Sequence, residues 1–189
     1  RQKPVVLDAD GLNLAASSGR LSGLIKAYTA MGGIVIMTPH MAELARLLHC
    51  GMQELQSARL KNMERFVRES GAVLVGKDAA TVVGYADKGV FRYYINQTGN
   101  SGMATAGSGD VLSGIMGAMA ALTAVKLNRK AGKEKEAAVR EAYFRTAYRA
   151  VYLHGLAGDK AAEKSGEISM KAGDLIGALP ELLRECTDQ

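Results

Sequence analysis

Tryptophan is absent from this chain of 189 residues, which contains only two cysteines and three prolines. Cys50 and Cys186 are far apart and neither belongs to a CxxC pair, which argues against a disulfide framework or a zinc site. The longest apolar run, Val111–Val125, is shorter than the roughly 20 residues that a bilayer requires and predicts a buried core helix. The residues given show no signal-peptide pattern. We therefore expect a globular protein of the cytoplasm.

The composition favours one domain, because 48% of the residues are hydrophobic and a chain of this length can bury a full core. We predict a single domain over residues 1–189. The net charge is +5, and the run Lys126–Lys135 carries five basic residues and one acidic residue. This run contains no aromatic residue, so it predicts a solvated connector and not a nucleic-acid surface. We expect neither nucleic acid nor a membrane as a partner.

Short apolar runs alternate with amphipathic stretches, which is typical of an α/β fold. The runs Val5–Asp8, Ile34–Met37 and Ala72–Val75 predict buried parallel strands, and Thr81–Tyr85 with Val90–Ile95 predicts a hairpin. The predicted helices are Ser22–Met31, Ala42–Leu48, Gln53–Ser70, Glu134–Leu156 and Leu175–Leu183, the last broken near Pro180. The sequence therefore predicts a mostly parallel central sheet with helices on both faces.

The chain begins with Arg1 and enters an apolar strand almost at once. No helix or capping residue precedes that strand. We therefore expect a piece of a longer protein that lacks its N-terminal portion.

Polar residues follow the predicted strands where open parallel sheets bind ligands, beyond the carboxyl ends. Asp8 and Asp10 follow the first strand, His40 the second and Lys77 the third. Two acids two residues apart in one strand share a face, so Asp8 and Asp10 are expected to point into the same crevice. His154 is interpreted as a structural residue at the end of a helix.

The segment Asn96–Gly117 is rich in glycine and runs directly into the apolar helix. A helix start has unpaired N–H groups and partial positive charge, and glycine lets backbone approach an anion closely. Gly107-Ser108-Gly109 is therefore predicted to hold a phosphate group, with Asp110 as a base beside it. The alternative is a glycine-rich turn in which Asp110 only caps the helix.

Four motifs resemble a known family when they are taken together: VLDADGLN (6–13), TPHMAELARLL (38–48), VGKDAATVV (75–83) and GNSGMATAGSGDVLSGI (99–115). The chain is similar to the ADP/ATP-dependent NAD(P)H-hydrate dehydratases of the ribokinase-like superfamily. HGLAGD (154–159) and AGDLIGALP (172–180) match the same family, so the resemblance covers nearly the whole chain.

The resemblance implies repair of hydrated NADH or NADPH. The hydroxyl on the damaged nicotinamide ring is phosphorylated from ADP or ATP, and loss of phosphate restores the double bond. Mg²⁺ and a homo-oligomer, in this family often a tetramer, are also implied. The residues do not distinguish ADP from ATP or NADH from NADPH.

The resemblance also implies roles for individual residues. Asp110 is implied as the base that takes the hydroxyl proton, assisted by Gly107, Ser108 and Gly109. The implied nucleotide contacts are Lys77, Asp78, Ala79, Ala80, Thr81, Asn100, Ser101, Gly102, Met103, Ala104, Thr105, Ala106, Gly107, Ser108 and Gly109. The implied substrate contacts are His40, Met41, Ala42, Glu43, Leu44, Ala45, Arg46, Asp10 and Asp110. Glu43 is the implied metal residue, directly or through water.

Several of these residues have an alternative explanation. Asp78 replaces a glycine that usually follows the lysine in this family, and it adds negative charge near the predicted phosphate site. His40 and Glu43 have a structural explanation as a cap and a first-turn acid of a helix. Another ribokinase-like kinase, acting on a vitamin precursor or a sugar, would share the cradle and the base. A non-catalytic nucleotide-binding fragment, with its missing part as a separate chain, is a further alternative.

Overall fold

The computed structural model describes residues 3–129 and 136–185. Five strands form one sheet, and they lie side by side in chain order. They are β1 (Val5–Leu7), β2 (Val35–Met37), β3 (Val73–Gly76), β4 (Val82–Asp87) and β5 (Val90–Ile95). β1, β2 and β3 pair in parallel, whereas β4 is antiparallel to both of its neighbours. Four strands therefore run in one direction, as the mostly parallel prediction requires, and the predicted hairpin is β4–β5.

Helices cover both faces of this sheet. In chain order they are α1 (Asp10–Ser17), α2 (Gly19–Ala30), α3 (Met41–Leu48), α4 (Met52–Ser57), α5 (Arg59–Ser70), α6 (Ser108–Arg129), α7 (Glu136–Ser165) and α8 (Ala172–Glu185). Alternate strand residues enter two different cores: Ile36 and Val75 pack with α6 and α7, and Met37 and Leu74 pack with α1 to α5. The alternation follows from the two-residue period of a strand and confirms the predicted layers.

The first strand corrects one prediction. β1 ends at Leu7, and Asp10 already begins α1, so Asp8 and Asp10 do not share a strand face. Ala9, between them, has φ 48° and ψ −118°, which turns the chain sharply at this point. β1 is also one of the two edge strands of the sheet, with Val5 37% exposed, and is not the buried strand that its apolar residues predict.

Three helix predictions are also wrong in their boundaries. The predicted helix Gln53–Ser70 is divided at Ala58, whose φ of −137° leaves the helical range. α7 continues through His154 to Ser165, so that histidine does not end a helix. α8 continues through Pro180. A proline removes one hydrogen bond to the carbonyl four residues earlier, which here belongs to Ile176, a residue that is 56% exposed.

The apolar run predicted as a core helix is α6. Leu112, Met116 and Ala120 lie in the core between the sheet and α7. In the part of the chain that the structure describes, α6 is the one helix long and apolar enough to cross a membrane, a test that core helices also pass. Residues 130–135 of the predicted basic connector, and Cys186, lie outside the described residues.

Candidate functional site

A cleft of about 950 Å³ opens beyond the carboxyl ends of β2 and β3, where the sequence predicts ligand binding. Its walls are formed by the segments that follow β2 and β3, by the β5–α6 loop, by the first turns of α6 and by the middle of α7. The predicted residues that line it are His40, Lys77, Asp78, Ala79, Thr81, Asn100, Ser101, Met103, Ala104, Thr105, Ser108 and Gly109. Ala80, Gly102, Ala106 and Gly107 belong to the same segments but do not line the cleft.

The glycine-rich loop ends in a turn that only glycine adopts easily. Gly107, with φ +87°, directly precedes α6, and its carbonyl oxygen accepts a hydrogen bond from the Val111 N–H at 3.1 Å. A Cβ at Gly107 would also lie 3.1 Å from the Cβ of Ala172 at the start of α8. Both the backbone angle and the close neighbour therefore require glycine at the helix start.

The first turn of α6 presents free backbone donors. The N–H groups of Gly109 and Asp110 have no hydrogen-bond partner among residues 3–129 and 136–185. A Cβ at Gly109 would lie 3.5 Å from the Lys77 Nζ, so the ammonium group is beside these donors. Two unpaired N–H groups, the positive end of a 22-residue helix and a lysine together make an electropositive site suited to an anion.

Asp8 holds that lysine. The Lys77 Nζ donates to Asp8 Oδ1 at 2.9 Å, and the Ser113 hydroxyl donates to Asp8 Oδ2 at 2.5 Å. Burial raises the pKa of the Asp8 carboxyl, but the bonds from Ser113, Lys77 and Thr38 and the charge of Lys77 outweigh it, so the pKa is lowered. Asp8 is therefore a carboxylate at neutral pH. It joins the ends of β1 and β3 to α6.

Asp110 lies outside the cleft, on the side of α6 that faces the β1 edge. Its side chain is exposed, and it is three residues before Ser113, so the two share one side of the helix. Ser113 bonds Asp8 at the end of β1, and the neighbouring Gly109 lines the cleft. Asp110 is therefore the residue after Gly109, which lines the cleft together with Lys77.

His40 and Glu43 form a capping box at the start of α3. His40 Nδ1 accepts the N–H groups of Ala42 and Glu43 at 3.1 and 3.3 Å, and the Glu43 carboxylate accepts the His40 N–H at 2.9 Å. The His40 side chain is still 52% exposed at the cleft, whereas that of Glu43 is 7% exposed. A structural role for both residues is therefore present, and it leaves one side of the His40 ring open to a ligand.

The rest of the predicted substrate segment, 41–46, does not line the cleft. Leu44 and Ala45 are buried in the core below α3. Asp10 is exposed in the first turn of α1, on the same outer side as β1. Substrate contact by these residues stays a prediction.

The described residues do not fit a metal site made by the protein. They contain no group of three or more His, Cys, Asp or Glu side chains that could hold an ion. The Glu43 carboxylate is bonded to the His40 N–H, and both oxygens of Asp8 are taken by Lys77 and Ser113. A metal role of Glu43 stays a prediction, and it would depend on water or on a ligand's own oxygens.

Asp78, the departure from the family pattern, is neutralised locally. Its Oδ2 atom accepts from Arg59 Nη1 at 3.1 Å, and the same guanidinium group donates to the Gly76 carbonyl at 2.8 Å. Asp78 Oδ1 accepts the Ala79 N–H at 2.9 Å. Its negative charge therefore faces Arg59, and the backbone after β3 is fixed in place.

Seven residues that line the cleft were not predicted: Asn96, Thr98, Gly99, Leu112, Val151, His154 and Gly155. The His154 Nε2 lies 2.9 Å from the Ser108 carbonyl oxygen and 3.4 Å from its hydroxyl. Burial lowers the pKa of His154, only partly opposed by the bond to Ser108, so the ring is neutral at pH 7. A signal was present: Gly155 and Gly158, inside a helix, indicate a close backbone approach.

Comparisons with known proteins identify the family of this chain. A family model described as NAD(P)H-hydrate dehydratase matches residues 1–181. A bifunctional NAD(P)H-hydrate repair enzyme of Moorella thermoacetica is 40% identical over 188 residues, which are 100% of this chain and 31% of that protein. An ADP-dependent (S)-NAD(P)H-hydrate dehydratase of Neisseria meningitidis is 34% identical over 96% of this chain and 52% of its own length. The chain thus spans 31% and 52% of the lengths of these two relatives.

The fold has solved counterparts as well. The ADP/ATP-dependent NAD(P)H-hydrate dehydratase of Bacillus subtilis, co-crystallised with ATP and Mg²⁺, matches with a TM-score of 0.64 at 25% identity, over 81% of this chain and 48% of that one. A ribokinase-like superfamily protein of Enterococcus faecalis matches with a TM-score of 0.60 at 25% identity, over 95% of this chain and 60% of that one. The resemblance seen in the sequence motifs is confirmed, and the chain belongs to the NAD(P)H-hydrate dehydratase family, with a ribokinase-like α/β fold.

Proposed function

We propose that the protein carries out the nucleotide-dependent step of nicotinamide nucleotide repair. Hydrated NADH or NADPH is dehydrated at the expense of ADP or ATP. The observation that carries this proposal is the first turn of α6, where two unpaired N–H groups and Lys77 lie at the end of a large cleft and the exposed Asp110 is the next residue after Gly109. The relatives named above support the same activity.

The cleft is suited to the nucleotide. Its volume of about 950 Å³ is ample for a mononucleotide, and its walls combine the apolar side chains of Leu112, Val151 and Met103 with amide and hydroxyl groups. The electropositive end lies at Gly109 and Lys77. A nucleotide would therefore place its terminal phosphate at the helix start and its base towards α7.

The transfer step then needs a hydroxyl on the Asp110 side. The ring hydroxyl oxygen forms a bond to the terminal phosphorus while the bridging P–O bond breaks, and AMP or ADP leaves with that electron pair. Asp110 takes the hydroxyl proton. The free N–H groups and Lys77 stabilise the charge that spreads over the phosphoryl oxygens. Phosphate then leaves with the C–O electron pair and the neighbouring ring carbon loses a proton, which restores the double bond.

A direct assay tests this proposal. The protein, given hydrated NADH with ADP or ATP, should regenerate the near-ultraviolet absorbance of NADH and release one phosphate for each NADH formed. Phosphorylation of a vitamin precursor or sugar, with no NADH formed, would favour the small-molecule kinase instead. Nucleotide binding without either turnover would favour the non-catalytic fragment.

Magnesium, oligomeric state and location belong to the same proposal. Because the described residues offer no ready metal site, Mg²⁺ is expected to come bound to the nucleotide phosphates. We expect a homo-oligomer in the cytoplasm, without a nucleic-acid or membrane partner, and a separate chain for the remaining N-terminal part is one way to complete the protein. The mass of the protein in solution, with and without nucleotide, tests the oligomer.

Two substitutions of His40 separate its role as a helix cap from a role in substrate binding. His40→Ala removes the acceptor for two N–H groups of α3 and should lower the free energy of unfolding by about 1 kcal/mol. His40→Asn keeps a capping oxygen and should recover most of that loss. If the ring also contacts the hydrated dinucleotide, the asparagine variant will still have a raised KM for it. Equal stability of all three proteins in urea would contradict the capping role.

Asp78 is expected to weaken nucleotide binding slightly. Asp78→Ala removes a negative charge at the cleft and leaves Arg59 positive, so affinity for ADP should rise by about threefold at low salt and less at high salt. Titration calorimetry at two salt concentrations measures this. Asp87→Ala, which removes the same charge at the far end of β4, is the matched control. A lower affinity for ADP in Asp78→Ala would show that Asp78 instead supports the backbone of the nucleotide segment.

A further inference from the structure

The loop between β5 and α6 is attached to α7 at both ends. At its start, Asp159 Oδ2 accepts the Gly99 N–H at 2.9 Å, and Oδ1 accepts from the Asn100 side chain at 3.1 Å. At its end, His154 bonds the Ser108 carbonyl. His154 and Asp159 are five residues apart on one helix, so a single rigid element fixes the two ends of the loop.

The Asp159 carboxylate also acts through Asn100 on the next residues. The Asn100 side-chain oxygen accepts the Gly102 N–H at 3.1 Å, which starts the 3-10 turn Ser101–Met103. Asp159 holds the amide group of that same side chain and so sets its orientation. One carboxylate therefore determines both where the loop begins and how its first turn is formed.

Two glycines of α7 let the loop approach its backbone. A Cβ at Gly155 would overlap the Oγ1 and backbone of Thr98, and a Cβ at Gly158 would overlap the Sδ of Met103. Positions 154, 155, 158 and 159 fall on one side of a helix, which we call the loop-binding face of α7. Met103 continues from it into a small core that contains Ala157, Ala161 and Met170.

We propose that Asp159 is a positioning residue for nucleotide binding, which keeps the loop in the shape that lines the cleft. Asn100, Ser101, Met103, Ala104 and Thr105 all line the cleft, and each lies in the stretch that Asp159 and His154 hold. Asp159 itself does not line it, so it acts only through the loop. This inference rests on the proposed function, because it takes a nucleotide to be the occupant.

A mutational test separates positioning from general stability. In Asp159→Ala, KM for ADP or ATP should rise about tenfold, with kcat within about twofold and KM for hydrated NADH unchanged. Asp159→Asn keeps an oxygen for one of the two donors and should give an intermediate rise. Glu163→Gln removes a carboxylate from an exposed position of the same helix and should change none of these values.

Each outcome has a definite meaning. A fall in kcat with both KM values unchanged would indicate only a smaller folded fraction and would overturn the inference. Unchanged kinetics in both Asp159 variants would overturn it as well. Calorimetry with ADP distinguishes the failure of this inference from the failure of the proposed function. If the unsubstituted protein binds no nucleotide, the proposed function also fails. If the unsubstituted protein and Asp159→Ala bind ADP equally well, only the positioning role of Asp159 is contradicted.

Discussion

Replacing Asp110 by asparagine should lower turnover of hydrated NADH by about a hundredfold to ten-thousandfold, the range measured for loss of a general base. Asparagine has nearly the same shape but cannot accept the hydroxyl proton. The side chain is exposed and has no hydrogen bond or ion pair within the described residues, so the free energy of unfolding should change by less than about 1 kcal/mol. Nucleotide binding should also be retained, because the carboxylate lies outside the cleft.

Rapid-mixing kinetics and calorimetry together measure this result. Asp87→Asn, an equal change of charge at a distant position, is the control for nonspecific electrostatic effects. Normal turnover in Asp110→Asn would refute the base role and would favour the simpler interpretation that Asp110 only completes the first turn of α6. Loss of ADP binding together with turnover would instead place Asp110 in the nucleotide site.

Removal of the Lys77 charge should weaken binding of ADP and ATP far more than binding of AMP. Lys77 Nζ is beside Gly109 at the helix start, where the terminal phosphate is proposed to lie. The loss of a charged hydrogen bond is worth about tenfold to a hundredfold in affinity. Lys77→Gln also leaves the Asp8 carboxylate without its cation, and that negative charge would then repel the phosphate.

A double substitution tests this last point. Asp8→Asn combined with Lys77→Gln removes the repulsion, so it should bind ADP more tightly than Lys77→Gln alone. Calorimetric titrations with AMP and ADP on the unsubstituted protein, the single variants Asp8→Asn and Lys77→Gln, and the double variant give the coupling energy between the two side chains. Equal losses for AMP and ADP would contradict a terminal-phosphate contact, and additive effects in the double variant would contradict the proposed role of the Asp8–Lys77 pair.

Much of the fold could be predicted because its signals are local. Continuous apolar runs indicated β2 and β3, and apolar letters on both sides of Ala86–Gly89 indicated the β4–β5 hairpin. The wrong predictions concern elements whose burial or extent depends on residues distant in the sequence. The strand β1 has the composition of a buried strand but lies at the sheet edge, and α8 continues through Pro180 at a turn whose residue Ile176 is exposed.

The candidate site, too, could be predicted only in part from the sequence. The four motifs VLDADGLN, TPHMAELARLL, VGKDAATVV and GNSGMATAGSGDVLSGI together indicated the family, and the comparisons confirmed that membership. The dual position of His40, as a cap and as part of the cleft wall, could be stated from the sequence only as two alternatives. The contribution of α7 was missed, since a histidine and two glycines within a helix pattern resemble a helix end.

The sequence by itself determined the α/β alternation, the helix start with its unpaired N–H groups and the acid beside it, because these follow from residues close together in the chain. Only the tertiary structure decided which charges meet. Asp8 contacts Lys77 across 69 positions and Ser113 across 105, and Asp159 reaches Gly99 across 60. Such contacts depend on how the helices pack on the sheet, and no short-range pattern encodes that packing.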